Sequence, residues 1–248
     1  MIAQEFTASL GAVIAIIALG GLVQSAIGFG FAIVVLPLLA FVMDPRSSHI
    51  LVSLSGIPVL AASAWTCRKG FQWPIIWPAL TGGMLAIPLG ILVFASISPD
   101  ALIRATGVAI LTWILLDFFQ PRRTPNRRQS QLASFWAGTV SGFLAGAVSI
   151  GGPPVATFAI RQPWTPLQFK AFVIWFLLLT SIVKVIGLGV SGYLDRDGVW
   201  QAVLVSPFAV VGVMLGSRLS QKIDPQRFRQ MIAIVLGLVA ASMIYRGG

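Results

Sequence analysis

The sequence predicts an all-α polytopic integral membrane protein built from two inverted repeats. Its 248 residues are 57% hydrophobic and only 10% charged, and the mean hydropathy is +0.91. A soluble domain is about a quarter charged, so this composition is typical of a chain that lies in lipid. Glycine and proline recur in the same order in both halves, and basic residues lie in short loops between apolar runs. We expect each repeat to hold one broken-helix hairpin followed by three transmembrane helices.

The first repeat, residues 1–120, opens with an apolar segment that is broken once. The arms of this predicted hairpin are Thr7–Ala26 and Phe31–Met43, and the break between them is Gly28-Phe29-Gly30. Glycine weakens a helix, so the chain is not expected to run through this stretch as one helix. Three apolar runs follow, each near the roughly 20 residues that cross hydrocarbon: Ser47–Thr66, Ile75–Ile97 and Ala101–Phe119.

A polar linker, residues 121–131, separates this repeat from the second one, residues 132–248. Here Leu132–Ser149 and Val155–Ile160 flank the break Gly151-Gly152-Pro153-Pro154, whose prolines lack backbone donors. The second arm reaches only about 9 Å at helical rise, too short to cross, so this break is expected well inside the membrane. The three runs that follow are Leu167–Val190, Val199–Leu219 and Phe228–Tyr245.

Pairs of glycine and proline indicate an internal duplication. Gly21 and Gly30 pair with Gly142 and Gly151 at one constant offset. Later in each half, Leu89-Gly90 and Pro99 pair with Leu215-Gly216 and Pro225 at a second constant offset. For Gly20-Gly21 and Gly82-Gly83 we expect only close helix packing.

The distribution of basic residues predicts the orientation. One hairpin and three crossings in each half would place twelve basic residues on one side: Arg68, Lys69, Arg122, Arg123, Arg127, Arg128, Arg161, Lys170, Arg218, Lys222, Arg227 and Arg229. The other side would hold four: Arg46, Arg104, Arg196 and Arg246. The richer side is expected in the cytoplasm, with both termini outside and the chain in the plasma or inner membrane. The net charge of +10 is therefore attributed to loops that set the orientation in the membrane. No nucleic acid partner is expected.

Several motifs resemble one known family. They are GFGFAIVVLP (Gly28–Pro37), SIGGPPVATF (Ser149–Phe158), the interfacial loops Gly70-Phe71-Gln72-Trp73 and Gly192-Tyr193-Leu194-Asp195, and FLLLTS (Phe176–Ser181). Together they are similar, over nearly the whole chain, to the sulfite exporter TauE/SafE family of membrane transporters. The sequence departs from that family where Phe29 and Phe31 interrupt the first glycine run and Pro153-Pro154 follow the second. The resemblance implies movement of small sulfur-containing anions such as sulfite or organosulfonates, usually outward.

The two breaks are the expected substrate site, because helix N-termini expose unpaired amides and the positive end of the helix dipole. With Pro153 and Pro154 lacking donors, the amides of Ile150–Gly152 and Val155 would have to contribute. Polar side chains near the breaks complete the candidate set: Gln24, Ser25, Gly28, Phe29, Gly30, Ser149, Ile150, Gly151, Gly152, Val155, Thr180, Ser181 and Lys184. Two alternatives stay open: the glycines only let helices pack, and serine or threonine hydroxyls bond to their own helix.

Lys184 is the sharpest single candidate, since it lies among apolar residues about two turns inside the Gly192 loop. A cation inside a membrane is costly and by default indicates a functional site. Alternatively, the long side chain of Lys184 could extend to the outer interface. His49, the single histidine, is expected at the outer interface.

Enzymatic activity is not expected. The sequence has no GxxxxGK[ST] phosphate loop, and one Cys with one His cannot form a zinc site. No cofactor or metal is therefore predicted. The predicted function is secondary transport by alternating access, with a small anion and the lipid bilayer as partners. An anion channel and a non-transporting membrane scaffold are the alternatives. Proton movement, direction of flux and a homo-oligomeric state stay open.

Overall fold

The computed structural model describes residues 2–118, 130–219 and 237–245, and its regular structure there is entirely helical. Residues 121–129 of the basic linker, the turn Ser220–Pro225 and the start of the last predicted run lie outside the described residues. Residues 237–245 are helical as well. The helices that precede them are α1 (Ile2–Ile27), α2 (Phe31–Leu39), α3 (Pro45–Cys67), α4 (Trp73–Ser96), α5 (Pro99–Phe118), α6 (Gln131–Val148), α7 (Gly152–Ala159), α8 (Pro166–Val190) and α9 (Arg196–Leu219), with a 3-10 turn at Arg68–Gly70.

Four of the described helical segments are long and apolar enough to cross a membrane: Pro45–Gly70, Trp73–Ser96, Pro166–Val190 and Arg196–Arg218. These segments correspond to α3, α4, α8 and α9, at positions where the sequence predicts spans. Together with the all-helical fold they confirm the class of polytopic membrane protein. The described part of the predicted span Ala101–Phe119 lies in α5, which is not one of these four.

Two short helices, α2 and α7, are the second arms of the predicted hairpins. They have nine and eight residues, so each is about 12–14 Å long, less than half of a hydrocarbon core. The prediction that the first arm continues to Met43 is wrong, because α2 ends at Leu39. Residues 40–43 instead form turns whose amides bond to the carbonyls of Leu36, Leu38 and Leu39.

The helix that follows each hairpin begins in the same way. The Asp44 carboxylate accepts a hydrogen bond from the Ser47 amide at the start of α3, and Pro45 occupies the first turn. The Thr165 hydroxyl accepts one from the Gln168 amide at the start of α8, where Pro166 occupies the first turn. A side-chain cap followed by proline fixes a helix start. Asp44 and Thr165 are separated by the same offset as Gly21 and Gly142.

Glycines place two helix pairs in backbone contact. A Cβ on Gly21 of α1 would lie 2.1 Å from the carbonyl oxygen of Ala209 in α9, and one on Gly142 of α6 would lie 2.3 Å from that of Gly83 in α4. Gly83 and Ala209 are related by the offset that relates Gly90 to Gly216, so each contact is the counterpart of the other. The close packing predicted at Gly21 is confirmed.

The same exchange recurs further along these helices. A Cβ on Gly216 of α9 would lie 2.4 Å from the Leu22 carbonyl oxygen, and one on Gly90 of α4 would lie 2.3 Å from that of Phe143. Leu22 and Phe143 are again one offset apart. The α1–α9 and α4–α6 pairs therefore share one packing pattern, and α3 and α8 pack on each other between them.

Candidate anion-binding site

The first break is held together by one side chain. Gly28 and Gly30 have φ of +91° and +144°, conformations open to glycine. The Gln24 side-chain oxygen accepts a hydrogen bond from the Phe31 amide (3.1 Å), and its nitrogen donates to the Gly28 carbonyl (3.0 Å). Gln24 is therefore a bridge across the break, and it occupies the Phe31 amide at the start of α2.

The second break turns at Ser149, which has φ of 59° and is the single non-glycine residue with positive φ in the described ranges. The Ile150 amide donates to the Leu144 carbonyl (3.3 Å), and the Val155 amide donates to the Ser141 hydroxyl (2.9 Å). These two amides are thus not available to an anion in this conformation, contrary to expectation. The amides of Gly151 and Gly152 have no acceptor in the described part of the chain.

The two breaks meet. A Cβ on Gly152 would lie 3.2 Å from the Phe29 Cβ, so the glycine lets this ring pack against the start of α7. A cavity of about 70 Å³ lies between the breaks, α3 and α8, enough for several waters or one small anion. Ten predicted site residues line it: Gln24, Phe29, Gly30, Ser149, Ile150, Gly151, Gly152, Thr180, Ser181 and Lys184. Ser25, Gly28 and Val155 do not.

Lys184 lies inside the protein, with 4% of its surface exposed. Its ammonium donates a hydrogen bond of 2.5 Å to the Ser149 hydroxyl at the second break. The side chain thus turns into the cavity and not toward the outer interface. Among the residues that the structure describes, no carboxylate forms an ion pair with it. A buried cation is thereby placed at the point where α6 breaks.

His49 corrects the sequence-based expectation. It was expected at the outer interface, but it is 4% exposed, and its Nδ1 lies 2.9 Å from the Ser149 hydroxyl. Its Nε2 lies 3.2 Å from the buried Thr106 hydroxyl of α5. A signal for this position was present in the sequence, because the offset between the repeats pairs His49 with Lys170. The Lys170 Cγ lies 3.7 Å from where Gly28, the counterpart of Ser149, would carry a Cβ.

Two other predicted hydroxyls bond to their own helices. Thr180 donates to the Phe176 carbonyl (2.7 Å), and Ser25 donates to the Leu22 carbonyl (3.2 Å). Ser53, which the sequence did not single out, lines the cavity but donates to the His49 carbonyl (2.6 Å). These groups shape the cavity, while Lys184, the two glycine amides and the Ser181 hydroxyl are its donors.

The cavity is suited to an anion. The starts of α2 and α7 direct the positive ends of their dipoles toward it, and Lys184 adds a full charge. Within the described residues there is no group of three side chains able to hold a metal ion. Its walls are otherwise largely apolar, with Phe29, Ile150 and Leu177 among them.

Comparisons with known proteins identify the family of this chain. The family described as sulfite exporter TauE/SafE matches residues 13–243. A protein of Cupriavidus necator named "Probable sulfite/organosulfonate exporter TauE" is 25% identical over 239 residues, which cover 93% of this chain and 92% of that protein. No solved structure matches the chain. The resemblance noted in the sequence is thus confirmed, and the chain belongs to the sulfite exporter TauE/SafE family of membrane proteins.

Proposed function

We propose that this protein is a secondary transporter that exports small sulfur-containing anions such as sulfite or organosulfonates. The observation that supports this most is Lys184, a cation buried in a membrane helix with no carboxylate partner among the described residues. An unpaired charge in that position is costly. An anion in the adjoining cavity would supply the missing charge.

The donors around the cavity favour an oxyanion. A sulfite or sulfonate group presents three oxygens, and each can accept hydrogen bonds. The Lys184 ammonium, the amides of Gly151 and Gly152, and the Ser181 hydroxyl are donors at the cavity without a carboxylate or carbonyl acceptor in the described structure. The apolar wall of Phe29 and Leu177 would face the carbon end of an organosulfonate. The name of the Cupriavidus necator relative fits this substrate class.

The proposed mechanism is alternating access between two inverted repeats, 1–120 and 132–248, around a site near the membrane midplane. The matching glycine contacts of the α1–α9 and α4–α6 pairs support the repeat. Each pair joins a helix of one repeat to a helix of the other, so the halves meet along two similar surfaces. Movement of one half against the other at these surfaces would open the cavity to either side.

Transport in proteoliposomes tests the proposal. Labelled sulfite, methanesulfonate and sulfate are offered separately to vesicles with the protein and to protein-free vesicles. We expect saturable uptake of sulfite or methanesulfonate that unlabelled anion on the opposite side accelerates, as for a carrier. Unitary currents without such exchange would instead indicate an anion channel. No uptake of any anion above the protein-free vesicles would refute transport and favour a membrane scaffold.

A further inference from the structure

A directed chain of hydrogen bonds leads away from Lys184. The Thr106 hydroxyl donates to the Leu102 carbonyl (2.7 Å), so toward His49 Nε2 it can only accept. Nε2 therefore carries the hydrogen, and Nδ1 presents a lone pair. The Ser149 hydroxyl must donate to that lone pair, which leaves its oxygen to accept from Lys184. Every donor from the cavity to α5 points the same way.

We propose that His49 takes up the proton that accompanies the transported anion, and that Ser149 relays this proton from the cavity-lining Lys184. The inference rests on the proposed function and assigns its coupling ion. It gives His49 a role as proton carrier on the opposite side of Ser149 from the anion. The alternative for a buried histidine is a purely structural link between α3 and α5.

The relay step conserves every atom and charge. The Ser149 O–H bond breaks as its hydrogen forms an N–H bond with the lone pair of His49 Nδ1. The Ser149 oxygen at the same time receives a hydrogen from the Lys184 ammonium, which becomes an amine. A solvent proton from the cavity then restores the ammonium. The result is an imidazolium at His49, an ammonium at Lys184 and an unchanged serine.

The bound anion supplies the driving force for this step. Two positive charges joined by one hydroxyl repel each other, so the empty site favours a single charge. An anion against Lys184 offsets that repulsion and stabilises the second proton. By linkage, a proton on His49 must tighten anion binding by the same factor by which the bound anion favours that proton.

Among the charged groups of the surrounding helices, Lys184 is the one that shares a hydrogen-bond partner, Ser149, with His49. On α3 itself, the Arg46 guanidinium binds the Ala95 and Ile97 carbonyls, and Asp44 caps the helix. Among the side chains that the structure describes, the helices and the 3-10 turn packed on α3, with the loop after α8, carry these further titratable groups: Arg68, Lys69, Asp100, Arg104, Lys170, Tyr193, Asp195, Arg196, Asp197 and Arg218. In the described structure none of them is hydrogen-bonded to His49, whose side-chain partners there are Ser149 and Thr106.

The chain has one histidine, so nitrogen NMR can observe the proton directly. Protein with an affinity tag that lacks histidine is labelled with ¹⁵N-histidine and placed in lipid nanodiscs at fixed pH. Without sulfite we expect Nδ1 unprotonated and Nε2 protonated. Saturating sulfite should move Nδ1 into the protonated range, while labelled sulfite binding is measured in the same preparation. Sulfite that binds while Nδ1 stays unprotonated would overturn the inference and leave the proposed function intact. Failure of both sulfite and methanesulfonate to bind would overturn the inference together with the proposed function.

A transport experiment separates the proton carrier from a structural link. His49→Gln keeps an acceptor for Ser149 and a donor for Thr106 but cannot bind a proton, and Thr106→Val is the matched control that keeps the imidazole. We expect sulfite flux to follow an imposed pH gradient in the unaltered protein and in Thr106→Val, and to lose that response in His49→Gln. Protonation of sulfite in solution also depends on pH, but it is the same in all three vesicle preparations and cannot cause a difference between them. A His49→Gln protein that responds to the gradient like the unaltered protein would contradict the inference. Loss of all flux in His49→Gln leaves the NMR result to decide.

Discussion

The Lys184 ammonium and the Ser149 hydroxyl are 2.5 Å apart, although 35 residues separate them in the chain. This contact joins a long membrane helix, near its C-terminal end, to the point where another helix breaks. It uses the hydroxyl of a residue that is held at φ 59°, a conformation that costs a non-glycine residue about 1–2 kcal/mol. Because of this strain, we expect the Ser149 hydroxyl to be needed at this position.

Replacement of Lys184 tests whether the buried charge binds the anion. Lys184→Met removes the ammonium but keeps an apolar stem of similar length. A hydrogen bond from a charged donor contributes about 1.5–3 kcal/mol. We therefore expect roughly tenfold to hundredfold weaker sulfite binding, measured with labelled sulfite on purified protein.

Lys69→Met is the matched control, since Lys69 is exposed in the turn after α3 and lies outside the cavity. It removes the same charge from the chain and should leave the dissociation constant unchanged. Equal affinities in Lys184→Met and the unaltered protein would show that Lys184 does not contact the anion.

Two substitutions at Ser149 separate its hydroxyl from its backbone. Ser149→Ala removes the hydroxyl and keeps the strain, whereas Ser149→Gly removes both, because glycine adopts positive φ freely. We expect both variants to transport sulfite more slowly, since Lys184 and His49 lose their shared partner. The glycine variant should be the more stable of the two by about 1 kcal/mol, measured as thermal unfolding in detergent.

The stability difference between these two variants tests whether the backbone at position 149 is strained. Gly28 is the counterpart of Ser149 in the first repeat, and it has φ of +91°. An alanine variant as stable as the glycine variant would mean that the turn relaxes and that strain does not explain the choice of serine.

The sequence was sufficient to predict the two broken hairpins and most of the cavity lining. Glycine and proline interrupt helices by local rules, so the breaks at Gly28–Gly30 and Gly151–Pro154 could be predicted without tertiary information. Lys184 was recognisable because a lysine among aliphatic residues is rare in a membrane helix.

The rest of the site depends on contacts between distant elements. His49 lies 100 residues from Ser149 in the chain, and Thr106 lies 57 residues from His49. Nothing in the local pattern around His49 distinguishes an interfacial residue from one that faces a break in the other half. The amides of Ile150 and Val155 could not be excluded either, because their acceptors depend on how α6 and α7 fold back on each other.

The glycine contacts between the halves predict a matched pair of destabilising variants. Alanine at Gly21 or Gly142 places a methyl group about 2 Å from a carbonyl oxygen in the other repeat. Overpacking costs about 1–3 kcal/mol, more than the 0.5–1 kcal/mol that alanine gains over glycine in a helix. We expect both variants to unfold at lower temperature.

Gly11→Ala is the control for this pair, since nothing lies within 4 Å of a Cβ at that position. It should keep or raise the unfolding temperature. If Gly142→Ala were as stable as Gly11→Ala, the α4–α6 surface would have to be looser than the structure describes.

The orientation of the two repeats can be tested with single cysteines. Gln72 and Ser191 lie in the loops after α3 and α8, which occupy the same place in their repeats. Inverted repeats place these loops on opposite sides of the membrane, whereas parallel repeats place them on the same side. The basic residues predict Gln72 in the cytoplasm and Ser191 outside. We expect a membrane-impermeant maleimide to label Ser191→Cys in intact cells and Gln72→Cys only after the cells are opened.

The native Cys67 is buried, so it gives little background in this labelling experiment. Ser130→Cys, at the exposed start of α6, is the cytoplasmic control. Labelling of both loop cysteines in intact cells would rule out inversion, and it would require a different number of crossings between Gln72 and Ser191.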